Sequence, residues 1–252
     1  MKAIILAAGR GSRLGNLTDD CPKCLVPVAG TPLLQRQLNA LREAGISEIG
    51  IVRGYLAGRI NLPGLHTFDN PRWHETNMVM SLVCAHEWMS STTCVVSYSD
   101  IVYGPSAVQS LLTTPGDIAI TFDPRWRELW EARFENPLED AETFRINDRG
   151  ILLEIGARAQ QIEDIQGQFM GLLKFSPPGW NAVESFLKAF PPQCRDRLDM
   201  TSMLSGLIAS GFEIHTTPIS EPWFELDNER DLVVCESYLS NLPRLADNRL
   251  LF

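Results

Sequence analysis

The sequence predicts an α/β fold, a doubly wound and mostly parallel sheet carrying an antiparallel insertion or flap. Three observations predict it. Short apolar runs alternate with helix-patterned stretches through the first ~125 residues, the spacing of βαβ units. The first run, KAIILA at 2–7, is almost continuously apolar and stops at glycines, as a strand buried on both faces does. Finally, a glycine loop, Asp69, Asp100 and Asp123 fall at the ends of successive runs. Ligands of parallel sheets gather at those carboxyl ends.

Each element follows from local pattern. Residues 32–44, PLLQRQLNALREA, read as the first helix. Pro32 suits an early helical position, Leu33, Leu34, Leu38 and Leu41 share one face, and Gly45 suits the stop. SEIGIVRG is the second strand and LHTFDN a short third. NMVMSLVCAHEWM has helical spacing through Met78, Val79, Leu82, Val83 and Met89. TTCVVSYSD is a fourth strand ending on Asp100, and DIAITFD a fifth.

The stretch 123–175 differs. AETFRI, ILLEIG and GQFMGLLKF read as strands with little helix between them, and 126–140 is charged and aromatic. The expectation is an antiparallel insertion over the ligand site. Helices near 177–189 and 200–210 follow, then a strand at FEIHTTP, a short one at PWFEL, and a closing helix from about 228 to 240. With no linker, repeat or low-complexity segment, 1–252 reads as one domain with a first half, 1–123, and a second, 124–252.

Composition narrows the function. A 44% hydrophobic content in 252 residues allows a sizeable core, and a net charge of −9 argues against a nucleic-acid partner. Ile4, Ile5 and Leu6 are cut short by Gly9 and Arg10, so the start does not read as a signal peptide, and no stretch approaches a bilayer span. The expectation is a soluble cytoplasmic protein without membrane partners. Cys21 and Cys24 form a C-x-x-C with no second pair to complete a zinc site, and the four histidines show no ligand spacing.

The loop after the first strand reads LAAGRGSRLGNLTDDCPKC. Gly9 and Gly11 begin a G-x-G, but the third glycine of a dinucleotide fingerprint would fall at Leu14, and the G-K-[ST] of a Walker loop is missing. What remains is a glycine turn with Arg10, Arg13 and Lys23, able to cradle phosphate with backbone N–H groups and neutralise it with cations. An ordinary strand-to-helix loop with solvated basic residues is the alternative.

LAAGRGSRL followed by PKCLVPVAGTPLL resembles the signature of the nucleotidyltransferases that activate sugar 1-phosphates and related phosphate esters: G-x-G-(S/T)-R-L, P-K-x-L-(V/L), G-x-P-(L/M). The match covers 3–34 almost without departure. Later segments, among them NMVMSL, SYSDIVY, RFENPLEDAETFR and LDMTSMLSGLI, are most similar to the cytidylyltransferases that load phosphonates or phosphocholine onto CMP.

The resemblance implies a Rossmann-like nucleotidyltransferase fold, with 1–123 binding nucleotide and 124–252 binding acceptor and completing a metal site. It implies CTP and a small phosphonate, such as 2-aminoethylphosphonate, as substrates, with phosphocholine as the alternative acceptor. Ala7, Ala8 and Gly9 would offer backbone to the base; Gly11, Ser12 and Arg13 would hold the triphosphate. Lys23 would bridge nucleotide and acceptor phosphates, and Asn77, Met78 and Ser81 would meet base and ribose. Asp100 and Asp227 match the two acids that hold Mg²⁺, which makes Lys23, Arg13, Asp100 and Asp227 the implied catalytic set. Oxygen ligands on one or two carboxylates plus phosphates suit that ion. Asp227 also reads as the N-cap of the last helix.

Where sugar nucleotidyltransferases carry an acceptor-phosphate lysine, this chain has Glu154-Ile155-Gly156 and then Arg158. Arg158 or Lys174 is expected to serve instead, with Gly171 nearby. This departure disfavours a sugar 1-phosphate acceptor. Trp126 and Trp130, four apart, would share a helix face and could cage a cationic headgroup, or simply pack. A non-catalytic nucleotide-binding subunit is disfavoured because Lys23, Arg13 and both aspartates are present. The apolar strands of the insertion are a candidate homodimer contact.

Overall fold

The structure, a computed structural model, describes residues 1–241. Strand β1 (Lys2–Ala7) is an interior strand of a seven-stranded sheet. It pairs in parallel with β2 (Ile49–Arg53) on one side and β4 (Cys94–Tyr98) on the other, and β3 (His66–Asp69) extends the β2 side. Alternation explains the unbroken apolar run of β1. Ala3, Ile5 and Ala7 enter one core, and Ile4, Leu6 and Ala8 enter the opposite one. Burying each isoleucine is worth about 1.5–3 kcal/mol.

Helices cover both faces. On the Ile5 side pack α1 (Leu33–Glu43), through Leu34, Leu38 and Leu41, and a later helix over Pro105–Thr113. On the Ile4 side lie α2 (Met78–Val83) and α3 (His86–Ser91). The sequence predicts one helix here; the structure has two. Ala85 N–H donates to Leu82 at 2.9 Å, an i to i−3 bond that breaks the α ladder. The apolar face survives the break, because Val79, Leu82, Ala85, Trp88 and Met89 all remain buried in one cluster.

The short strand β5 (Ile101–Val102) follows the turn after β4, and β6 (Ile118–Asp123) returns to the main sheet. Two expected insertion strands, β7 (Glu142–Ile146) and β8 (Leu152–Arg158), do form a separate antiparallel pair. The third, β9 (Gln168–Phe175), corrects the expectation. It lies inside the main sheet, antiparallel to both β4 and β6. The reason is burial: Met170 through Phe175 are all buried, so this strand needs a partner on each edge and a core on each face. β10 (His215–Pro218) then pairs in parallel with β6 at the sheet edge, and the order is β10-β6-β9-β4-β1-β2-β3. The sheet is thus mixed and mostly parallel.

The charged and aromatic stretch begins with a helix, Trp126–Arg133. Near the end of the described chain, β11 (Phe224–Glu225) pairs antiparallel with β5 and leads into a helix over Glu229–Asn241. That pairing carries the segment around Asp227 to the carboxyl ends of the strands. Among the described residues, no helix is long and apolar enough to cross a membrane.

Candidate active site

The site starts where β1 stops. Residues 8–25 wrap the strand end in two 3₁₀ segments, Ser12–Thr18 and Lys23–Leu25. Gly11 has φ 72°, and a Cβ there would stand 2.7 Å from Lys23 Cδ. Only glycine combines that backbone with that closeness. The loop therefore lies directly on the Lys23 stem, and Lys23 is buried.

Lys23 Nζ donates to Asp100 Oδ2 at 2.8 Å and to Asp227 Oδ1 at 3.0 Å. Arg13 donates to the same Asp227 Oδ1 at 2.9 Å. The residues come from the loop, the turn after β4 and the end of β11, and the β5–β11 pairing joins the last two: Leu226 N–H donates to Asp100 O at 2.9 Å. From α1, the Gln37 amide donates to Tyr98 O and Ile101 O at 2.8 and 2.7 Å, pinning the turn that carries Asp100.

Charge balance holds this cluster. Burial works against the Lys23 ammonium, but Asp100 and Asp227 outweigh it and keep its pKa above the ordinary lysine value. Burial likewise pushes Asp227 up, yet Lys23, Arg13 and Arg133 hold its carboxyl below the usual range. Glu225 goes the other way: burial, then Asp227 and Asp100, push it up to about 8 against the pull of Arg133 and Lys23.

The two acids fit a magnesium ion. Asp100 Oδ1 is buried with no hydrogen-bond partner, an orphaned hard oxygen beside the Asp227 carboxylate. No cluster of three or more metal-ligating side chains exists among the described residues, so further ligands would be phosphate or water oxygens. Asp227 does not cap the last helix. Asn228 does that work, its Oδ1 accepting from Asp231 N–H at 3.1 Å, while Asp231 Oδ2 reaches back to accept from Asp227 N–H at 2.8 Å and Asn228 N–H at 3.1 Å. The Asp227 carboxylate is left for the cations.

On the other side of the loop, Asn77 caps α2 by accepting from Met78 N–H at 2.8 Å. Ser81 Oγ accepts from Asn70 Nδ2 at 3.0 Å. Both side chains hold local structure, and Met78 is half-buried. Ala8 O receives Tyr55 N–H at 2.9 Å, which fixes the backbone at Ala7-Ala8-Gly9 beside the loop that contains Ser12.

The acceptor-side expectations divide. Gly171 sits against Tyr98, at the same sheet end as Asp100, with φ 77° and room for no Cβ: one would come within 2.7 Å of the Tyr98 ring. Arg158 is exposed at the end of β8, opposite Glu142. Lys174 must be corrected. It pairs with Val95 and Ala119 at the opposite end of the parallel strands, is buried, and donates to Thr114 O. It cannot reach the cluster, because successive residues of an extended strand carry it away. The tryptophan cage is also corrected. Trp126 and Trp130 are buried and meet edge to face, with centroids 6.1 Å apart, and Trp130 packs on Trp223. The cation over Trp130 is internal: the Arg133 guanidinium, 5.1 Å from its centroid. Cys21 and Cys24 are free, and Cys24 is buried.

Sequence reading missed Gln37, Asn70, Arg133, Glu225 and Asp231. Glu225 was within reach of pattern, since it stands two residues before Asp227 on WFELD and alternate strand residues share a side. The others carry no local signal.

The family model for the MobA-like NTP transferase domain matches residues 3–172. The chain belongs to that family. It is a nucleotidyltransferase. Its relatives include a CTP:phosphoglutamine cytidylyltransferase from Campylobacter jejuni, 37% identical over 93% of this chain and 98% of the relative. A 2-aminoethylphosphonate cytidylyltransferase from Lancefieldella rimae is 33% identical over 73% of this chain and 71% of the relative. Among solved structures, the inositol-1-phosphate CTP transferase from T. maritima superposes with a TM-score of 0.76 at 22% identity, covering 93% of both chains. That likeness concerns the fold alone.

Proposed function

We propose that this nucleotidyltransferase is a CTP-dependent cytidylyltransferase that transfers CMP to a small phosphate-bearing acceptor and releases pyrophosphate. The observation that carries the reading is Lys23, held at 2.8 and 3.0 Å from Asp100 and Asp227 under a glycine loop that also presents Arg13. The choice of CTP rests on the cytidylyltransferase relative that spans nearly both chains.

The acceptor oxygen is already an anion at neutral pH, so no general base is needed. The work is to bring two anions together and set that oxygen in line with the α-phosphorus of CTP. The new P–O bond forms as the bond to pyrophosphate breaks. Gly11, Ser12 and Arg13 hold the outgoing phosphates, and Lys23 spans donor and acceptor phosphate. Ala7, Ala8 and Gly9 present backbone to the base, with Asn77, Met78 and Ser81 beside base and ribose. Asp100 and Asp227 would hold Mg²⁺, which supplies charge neutralisation on the triphosphate. Prepaid positioning and charge complementarity are the main catalytic terms.

For the acceptor, phosphoglutamine stands ahead of the phosphonate that the sequence motifs favour, because the phosphoglutamine relative is matched over its whole length. 2-Aminoethylphosphonate is the second reading, supported by the Lancefieldella rimae relative. Arg158, exposed at the rim where sugar nucleotidyltransferases carry lysine, is a candidate contact to the acceptor's charged group. The test is pyrophosphate release in Mg²⁺ from CTP, and from UTP, GTP and dTTP for comparison, with phosphoglutamine, 2-aminoethylphosphonate, phosphocholine and glucose 1-phosphate. Release with one of the first three supports the reading. Release only with a sugar 1-phosphate and another nucleotide overturns it.

A further inference from the structure

One buried cation lies behind the site and belongs to none of the roles above. Arg133 ends the helix Trp126–Arg133, and its side chain is 1% exposed. Its guanidinium grips Asp231 at both ends, Nε to Oδ1 at 2.9 Å and an Nη to Oδ2 at 3.3 Å. Asp231 is equally buried. Arg133 also donates to Glu225 Oε2 at 3.2 Å and stands 3.7 Å from Asp227 Oδ2. The rings of Trp130 and Phe134, each 5.1 Å away, hold the guanidinium in place.

These contacts converge on one carboxylate. Asp231 Oδ2 accepts the N–H of Asp227 and of Asn228, so the residue clamped by Arg133 fixes the Asp227 backbone. The two Asp227 oxygens are divided: Oδ1 faces Lys23 and Arg13, while Oδ2 faces Arg133. At 3.7 Å the Oδ2 contact is too long for a hydrogen bond but close enough to favour the charged carboxylate. A buried bidentate pair is an expensive way to stabilise a fold, since its desolvation offsets most of its attraction. As a device for orientation, it is well suited.

We propose that Arg133 and Asp231 form a positioning pair for Asp227, setting the direction of its carboxylate as a metal ligand. Because Arg133 lies on the helix from the chain's charged and aromatic middle stretch, that helix would tune the metal site without touching substrate. Outer partners of this kind typically govern metal affinity by about 10–100-fold. The inference rests on the reading of Asp100 and Asp227 as metal ligands.

The test measures Mn²⁺ binding by electron paramagnetic resonance on the full chain, with α,β-methylene CTP present and nucleotide without protein as the blank. Wild type should bind more tightly than the blank, and Asp100→Asn should fall to the blank. Arg133→Lys keeps the charge and loses the two-pronged grip; its Mn²⁺ affinity should drop about 10-fold or more. Asp231→Asn, a second route, should drop it as well. In Arg133→Lys, saturating Mg²⁺ should restore turnover to within a few-fold, which a merely structural defect would not allow. Wild-type Mn²⁺ affinity in both variants, with wild type above the blank, overturns the positioning role and leaves the metal reading intact. Wild type no tighter than the blank overturns both.

Discussion

Lys23 shows how one side chain can depend on the whole molecule. Its ammonium is buried, and two carboxylates from distant parts of the chain keep it charged. Removing it strips, in the proposed reaction, a contact to the transferring phosphate and takes from Asp100 and Asp227 the cation they share. Lys23→Ala and Asp100→Ala are each expected to lower turnover by about 10²-fold or more, the scale of a lost transition-state charge contact. Pyrophosphate release under saturating substrates checks this, and near-normal turnover in either variant would sink the assignment. The residue types were legible from the loop motif; that Lys23 touches both acids was not, because it depends on strand ends brought together by folding. Trp130 is the instructive failure. Spacing showed a helical aromatic pair beside charged residues, but no spacing distinguishes a ring facing a ligand from a ring facing Arg133.

At the scale of elements, β9 and α1 govern the turn that carries Asp100. β9 runs against its neighbours and lays Gly171 on the Tyr98 ring. Gly171→Ala combines a disfavoured φ with a contact of 2.7 Å, and should cost about 1–3 kcal/mol of stability by urea denaturation. α1 reaches the same turn through Gln37, whose amide satisfies two carbonyls flanking Asp100. Gln37→Leu removes the donor that both carbonyls share, and leaves Tyr98 O with the Ser97 hydroxyl alone. It should cost about 1–3 kcal/mol and also lower turnover, because the Asp100 turn loses its anchor. A stability loss with unchanged turnover would separate that anchor from catalysis. Many strands and helices at this scale were readable from period and length, but the helix over Pro105–Thr113 was not read, and two other elements came out differently. The helix over 77–89 is interrupted by a single i to i−3 turn, and β9 joins the sheet rather than the insertion. Periodicity reports which face is buried; it says nothing about which edge partner a strand finds.

For the whole molecule, several carboxylates of an acidic chain are buried or partly buried. Asp123, Asp140, Glu142 and Glu225 are all shifted upward, with burial the largest cause in each. The sign of the linkage is fixed by that direction. Between the ordinary carboxyl range and a folded value of about 8 for Glu225, the native state holds more protons than the unfolded chain, so stability falls as pH rises through this window. Asp227 is lowered, and its contribution is lost only as pH falls below the ordinary range. Wild type should therefore lose urea resistance relative to Glu225→Gln between pH 5 and pH 8. Parallel midpoints for the two proteins across that range would contradict the assigned shift.

The sequence by itself determined the alternation of strands and helices, and its resemblance to a nucleotidyltransferase family suggested a phosphate-binding first loop and the two aspartates worth testing as metal ligands. Those properties are local, written in hydrophobic period, glycine placement and the chemistry of short motifs. Only the tertiary structure decided that β9 enters the main sheet, that Lys174 lies at the wrong end, that Trp130 packs against an arginine, and that the Asp227 carboxylate faces cations while Asn228 caps the helix over Glu229–Asn241. Each of these turns on edge pairing, strand direction or burial between residues far apart in the chain, and no local pattern carries that information.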